Sequence, residues 1–207
     1  MSNLKRLLVS TAILINLLLT ACGGDGGGTG GGSGSTPSAT AVSIALPETG
    51  QTTCTDATGV VIACAGTGQD GEHRAGVAWP NPRFSVDNTG NCMTDNLTGL
   101  MWARQGALSG TWQAAFELAA NLNLCGFTDW RIPNRKELLS LVNYGEVNNG
   151  TWLLGNGFTF QIESILWSSS SVAGSADRVW ALIVLPGILT QVAKSPGISS
   201  LPVRAGR

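Results

Sequence analysis

Pro133 places the tightest constraint on this chain. It sits in the run Cys125-Gly-Phe-Thr-Asp-Trp-Arg-Ile-Pro-Asn-Arg-Lys-Glu-Leu-Leu-Ser-Leu-Val142. Its ring has no N–H to give to a helix, and it pushes Ile132 before it toward extended backbone. Gly126 is expected to stop the preceding helix, since glycine takes the left-handed conformation without a Cβ clash. Asn134 is expected to cap a new helix, with Glu137 three residues on to close a capping box. Leu138, Leu139, Leu141 and Val142 recur at helical spacing and are expected to form its buried face.

The N-terminus reads as an address. Lys5 and Arg6 precede an apolar run over residues 7–19, followed by Leu19-Thr-Ala-Cys22. A basic start, a short hydrophobic stretch and small residues before a cut form the secretory signal pattern. The run falls short of the ~20 residues that a membrane-spanning helix needs. The ending resembles a bacterial lipobox, which implies a signal peptide over residues 1–21 and lipidation at Cys22. An ordinary signal peptide that happens to contain Cys is the plainer reading. Gly23 after the cysteine resembles the outer-membrane default, so an exported lipoprotein, anchored to the membrane by its lipid, is expected. Residues 22–45 are Gly, Ser, Thr and Ala with little else. Such a tract cannot offset its ordering entropy by burial and is expected to be a flexible tether of about 25–30 Å reach.

The rest is long enough for a core. Only 12% of residues are charged, 28 are Gly, and seven Trp stand against one Tyr, which points to a turn-rich domain pinned by indoles. The full chain carries a net charge of −1, and a cut after residue 21 would remove two of its bases and no acid. A broad basic surface is therefore not expected, and nucleic acid is set aside as a partner.

Cys54 and Cys64 bracket Thr-Asp-Ala-Thr-Gly-Val-Val-Ile-Ala, a turn followed by β-favouring residues. A small hairpin closed by a disulfide fits an exported chain. Metal binding is the sharper alternative, but no His or second thiol pair sits nearby. His73 is the sole histidine, which leaves little room for triad chemistry, and no Gly-x-Ser-x-Gly motif occurs. Residues 84–102 are expected to form hairpins around Asp87-Asn-Thr-Gly-Asn91 and Asn96-Leu-Thr-Gly99. The Asp/Asn spacing hints at a calcium loop, but the bidentate Glu of such a loop is missing, and turn chemistry accounts for the residues. Neither a metal nor a cofactor is expected.

Residues 111–122 predict a helix with Trp112, Ala115, Phe116, Ala119 and Leu122 on one face. Residues 144–160, rich in Asn and Gly, predict a long loop carrying Trp152. Long loops with an aromatic are plausible ligand-facing surfaces, which makes Asn148, Asn149 and Trp152 candidate ligand residues. Folding of Trp152 into the core is the equal alternative. Residues 165–168, 179–185, 189–192 and 201–204 predict strands, with a turn at Pro186-Gly187.

Five pieces resemble one family together: Thr94-Asp-Asn-Leu-Thr-Gly-Leu-Met-Trp102, Asp129-Trp-Arg-Ile-Pro-Asn134, Glu137-Leu-Leu-Ser-Leu141, Trp167-Ser-Ser169 and Val203-Arg204. Over roughly residues 84–204 the chain resembles the DUF1566 family, the C-terminal domain of the Legionella collagen-like adhesin (Lcl). Residues 46–83 resemble a hairpin lead-in segment, leaving 84–207 as the main domain. The resemblance implies an α+β, C-type-lectin-like fold: two helices packed on a small twisted antiparallel sheet, with the first strand paired to the last. Where the family ends Val-Arg-Cys-Val-Arg, this chain has Val203-Arg-Ala-Gly-Arg207, and Cys92 stands where an apolar residue is usual. A disulfide from Cys92 to Cys125 is the expectation this departure raises.

The resemblance further implies a surface-displayed, non-catalytic binding or adhesion module, with a glycan or sulfated extracellular polymer as ligand. Arg135, Lys136 and Lys194 are the basic candidates for such a ligand. Structural ion pairing of Arg131 and Arg135 with Asp129 or other acids competes with that reading. The calcium-lectin strings Glu-Pro-Asn and Trp-Asn-Asp are absent. Two other classes stay in view. One is a structural envelope protein assembling as a homo-oligomer, though no Gly-x-y repeat is present to enforce trimers. The other is an enzyme similar to formylglycine-generating enzymes, which would need late thiols, and no Cys follows Cys125.

Overall fold

The computed structural model describes residues 46–206, so Cys22, the signal segment and the Gly-rich tether lie outside the described residues. The chain first forms a hairpin of β1 (Cys54–Thr55) and β2 (Val61–Ile62), stapled by the Cys54–Cys64 disulfide as its sequence predicts. The Asp56 carboxylate shapes its turn by accepting from the amides of Thr58 and Val60 at 2.8 and 3.0 Å. A short helix, α1 (Asp70–His73), follows; the Gly-rich sequence gave no sign of it.

This lead-in is built into the fold. Tyr144 N–H donates to Thr49 O at 3.0 Å, and Trp79 Nε1 donates to Glu48 O at 2.7 Å. Gly145 lies so close to Gly50 that an added Cβ would sit 2.3 Å from the Gly50 carbonyl oxygen. Trp79 then packs on Trp152, ring centroids 5.4 Å apart.

Strands β3 (Phe84–Val86), β4 (Cys92–Asp95) and β5 (Met101–Ala103) form the expected antiparallel hairpins. They are followed by β6 (Ala107–Gly110) and α2 (Trp112–Ala120), which Thr111 caps by accepting from Ala114 N–H. Helix α2 stops at Asn121, earlier than the glycine implied. Cys125 and Gly126, at φ 54° and 80°, instead build a separate turn that pairs Leu124 with Phe127. After it, Ile132 runs extended and Arg131 bridges to Val203.

The capping box forms at α3 (Arg135–Leu139). Asn134 Oδ1 accepts from the amides of Lys136 and Glu137, and the Glu137 carboxylate accepts from Asn134 N–H at 2.7 Å. Leu138, Leu141 and Val142 are buried, but Leu139 faces outward, because so short a helix has room for only one inward stripe.

Residues 144–160 are not a continuous loop: α4 (Asn149–Gly155) occupies their centre, capped by Asn148. Its Leu153 is fully buried, so tertiary packing outweighs the poor helix propensity of Gly150 and Gly155. The remaining strands are β7 (Ile165–Val172), β8 (Ser175–Ile183), β9 (Ile188–Ala193), β10 (Ile198–Ser200) and β11 (Val203–Arg204).

The described residues thus make a mixed fold of short helices and three sheets. Beside the hairpin stand a five-stranded sheet, ordered β6-β10-β7-β8-β9, and a four-stranded one, ordered β11-β5-β4-β3. The expectation of two helices on one antiparallel sheet needs revision here, since β10 also pairs with β7 in parallel. Strand β11 pairs with β5, which β6 separates from α2, while β3 holds the opposite edge. Cys92 is therefore one strand away from the chain end, and it reaches Cys125 across the turn after α2: the Cys92–Cys125 disulfide is present.

The five-stranded sheet is covered on both faces. Trp167 and Val179 pack with Ala115 and Ala119 of α2 on one side. Leu166 and Leu182 join Leu138, Leu141, Leu153 and the Phe84–Phe158–Phe160 ring cluster on the other.

Candidate functional site

Strand β8 carries the site by simple alternation. Successive side chains of a strand point to opposite faces. Val179 turns toward α2, so Arg178, Trp180 and Leu182 turn toward α3. The register of β8 with β9 is regular from Arg178 to Ile183, so this alternation is unbroken.

Helix α3 begins over the same face. The Arg135 amide donates to Ser170 Oγ of β7 at 3.1 Å, fixing the first turn against the sheet. The Arg135 guanidinium then lies 5.4 Å from the Trp180 ring, within cation–π range. Lys136 follows, exposed, and Arg178 is exposed two residues before Trp180, with Nη1 directed at Gln191 O at 3.4 Å. None of these three cations has a carboxylate within ion-pair distance among the described residues.

Other cations are committed to the framework. Arg131 forks onto Glu137 at 2.6 and 2.8 Å, and that hydrogen-bonded pairing raises the Arg131 pKa. Burial of Glu137 opposes its charge, but Arg131 and the Asn134 amide outweigh it, and the carboxyl is held below its usual value. Asp129 pairs with Arg204 and not with Arg131; the Arg204 hydrogen bond lowers the Asp129 pKa. Structural pairing thus claims Arg131 and leaves Arg135 free.

The sequence-derived candidates separate into three places. Arg135 lies against Trp180, and Lys136 follows it, exposed, in α3. Lys194 lies on the α2 side, 4.4 Å from the Trp112 ring, with Nζ donating to Ala176 O at 2.6 Å. Asn148, Asn149 and Trp152 belong to α4, where two of them are ill suited to a ligand. Asn149 is buried, accepting from Asn143 N–H at 2.9 Å and donating to Val184 O, because it ties α4 to the sheet. Trp152 is half-buried between Trp79 and Phe84. Asn148 spends its Oδ1 on the Thr151 amide. Arg178 and Trp180 escaped sequence reading; the signal was there in the spacing Arg178-x-Trp180-x-Leu182, with the polar end of an otherwise apolar strand on the face of a basic helix start.

Two further features are structural. The carboxylate of Asp87 and the sulfurs of Cys92 and Cys125 lie within 4.8 Å of one another. The sulfurs are bonded to each other, and Asp87 is occupied by Thr89, Asn91 and Cys92. A cleft of about 490 Å³ beside the C-terminal end of α2 is lined by uncharged residues, including Asn91, Gln105, Leu118, Leu122 and Pro202.

The profile of one sequence family, the Lcl C-terminal domain, matches residues 91–204, more than half of the chain. The chain belongs to the Lcl C-terminal domain family. Everything from β4 to β11 falls within the matched span, including α3, β8 and the Arg135–Trp180 contact. No curated protein matches the sequence.

Proposed function

We propose that this protein is an exported lipoprotein whose Lcl C-terminal domain binds an anionic extracellular polymer, a sulfated polysaccharide being the best chemical fit, without transforming it. The observation that carries this reading is the Arg135 guanidinium against the Trp180 ring, with Lys136 next to it in α3 and Arg178 two residues before Trp180 in β8, three cations with no ion-pair partner among the described residues. Cations spread about an aromatic face suit a repeating polyanion: the charges meet sulfates, and the indole offers an apolar surface to a sugar ring. Attraction of this kind is long-ranged at low salt and weakens as the Debye length shortens.

The display arrangement rests on the sequence, with Cys22 as the lipid anchor, an outer-membrane location and a Gly-rich tether. A lectin-like topology is part of the proposal and is supported by β5 and β11, which flank the segment from β6 to β10 and pair with each other, so that the ends of that segment are brought together. A glycan array probed with the protein at low and at moderate salt tests the reading. Retention on sulfated but not neutral glycans is expected, with loss in the Arg135→Gln/Lys136→Gln/Arg178→Gln variant. Absence of binding at either salt, or binding unchanged in the variant, overturns it.

A further inference from the structure

A cleft of about 290 Å³ opens at the seam between the lead-in and the domain, lined by Thr49, Gln51, Asp70 and Tyr144. Thr49 holds the other three in place. Its hydroxyl donates to Asp70 Oδ2 and accepts from the Gln51 amide at 3.2 Å, while its carbonyl accepts from the Tyr144 amide at 3.0 Å. Thr49, Gln51 and Asp70 are half-buried, and Tyr144 is 52% exposed.

The side chains that Thr49 gathers keep unused bonding capacity. The Gln51 carboxamide and the Tyr144 hydroxyl bond to no protein atom among the described residues, and the Asp70 carboxylate receives only Thr49. The other lead-in acids are occupied. Glu48 pairs with Arg74, Asp56 accepts from the amides of Thr58 and Val60, and Glu72 accepts from those of Gly66 and Gly68. From Leu46 to His73 the chain contains no Lys or Arg. A half-buried carboxylate without a countercharge favours a cationic ligand over an anionic one. An exposed aromatic ring in the same cleft adds attraction for a cation.

We propose that this cleft binds a primary alkylammonium group, carried by a free amine or by a lysine side chain. Its N–H groups donate to the Asp70 oxygen that Thr49 leaves free and to the Gln51 carbonyl, with the charge against the Tyr144 ring. A quaternary ammonium lacks those donors and a neutral sugar lacks the charge, so both are poorer fits. Gln51 and Asp70 come from the lead-in and Tyr144 from the domain, so neither part holds the site alone. None of these residues belongs to the basic face, and the inference does not rest on the polymer-binding reading.

The test is a ¹⁵N chemical-shift titration of the full chain in mild detergent, with n-butylammonium chloride and with Nα-acetyl-lysine N-methylamide. Saturable shifts at the amides of Gln51, Asp70 and Tyr144 are expected with n-butylammonium. The same shifts with the lysine derivative extend the site to protein side chains; shifts with n-butylammonium alone assign it to free amines. Asp70→Asn should weaken binding about tenfold or more, and Tyr144→Leu about two- to fivefold. Gln51→Ala removes a side chain that no protein hydrogen bond uses, so its loss of affinity, about threefold or more, is read without a change in folding. Arg135→Gln should bind the amine as the parent does, which separates this inference from the polymer reading. Absence of shifts with both amines overturns the proposal. So do equal affinities for tetramethylammonium or methyl glucoside, or binding unchanged in both Asp70→Asn and Gln51→Ala.

Discussion

Arg83 presents Nε and Nη2 to the two carboxylate oxygens of Asp95 at 2.7 and 2.8 Å, with both side chains almost fully buried. The same guanidinium donates to Ser140 O at 2.9 Å and lies 4.4 Å from the Trp79 ring. Asp95 also receives the Leu97 amide and the Thr98 hydroxyl. One ion pair thus joins the lead-in, the four-stranded sheet and the end of α3. Arg83→Met leaves a buried carboxylate without its countercharge, and a loss of about 3–5 kcal/mol is expected. Urea unfolding followed by tryptophan fluorescence measures it; a loss under about 1 kcal/mol would show that the pair is dispensable.

The Cys92–Cys125 disulfide spans 33 residues and the Cys54–Cys64 disulfide spans 10. In the chain-entropy model the larger loop is worth about 3–4 kcal/mol and the smaller about 3. Cys92→Ala/Cys125→Ala should therefore lower the unfolding midpoint markedly. Cys54→Ala/Cys64→Ala should affect the lead-in first, since β1 and β2 pair only with each other. Limited proteolysis with peptide mapping distinguishes the two outcomes.

Glu137 gives a pH signature of known sign. Its folded carboxyl is held below the usual value by Arg131 and the Asn134 amide, against the opposing effect of burial. A depressed folded value stabilises above the ordinary glutamate pKa of about 4.3 and is lost as pH falls through the depressed value. The Glu137→Gln variant should consequently lose less stability between about pH 5 and pH 3 than the parent does. Paired urea titrations at the two pH values check this, and equal losses would contradict it.

Gly145→Ala probes the seam between the lead-in and the domain. The new Cβ would meet the Gly50 carbonyl oxygen at 2.3 Å, a backbone atom that cannot swing aside. A cost of about 1–3 kcal/mol is expected, along with faster cleavage near residue 50. Hydrogen exchange at Tyr144, whose amide donates to Thr49 O, should rise in parallel.

The basic face should behave as a sum of modest contributions. Each of Arg135→Gln, Lys136→Gln and Arg178→Gln is expected to weaken binding to a sulfated polysaccharide by about 0.5–1 kcal/mol, while Lys194→Gln on the α2 side has little effect. Trp180→Ala should weaken it further while steepening the relative loss with salt. Biolayer interferometry at two ionic strengths measures all five variants.

The order of elements was largely written in local chemistry. Asn134 and Glu137 announce the start of α3, and the turn clusters at Asp87 and Asn96 announce the hairpins of β3, β4 and β5. What was hidden depends on distant partners. Helix α4 has two glycines and a single dominant anchor, Leu153, so its stability comes from the core it enters. Strands β6 and β10 are short and find each other across some ninety residues, with Ser199 facing both Leu108 and Leu166. The basic face was half visible for the same reason: Arg135 and Lys136 are adjacent in sequence, but Trp180 meets Arg135 only through the fold.

The span shared with the family begins at residue 91, while β3 ends at Val86. Anyone expressing the recognised span by itself would strip the outer partner from β4, remove the guanidinium that neutralises Asp95, and uncover the hydrophobic side of Trp152. Such a truncated recombinant product should be poorly soluble, and the practical cloning limit lies upstream, near Leu46.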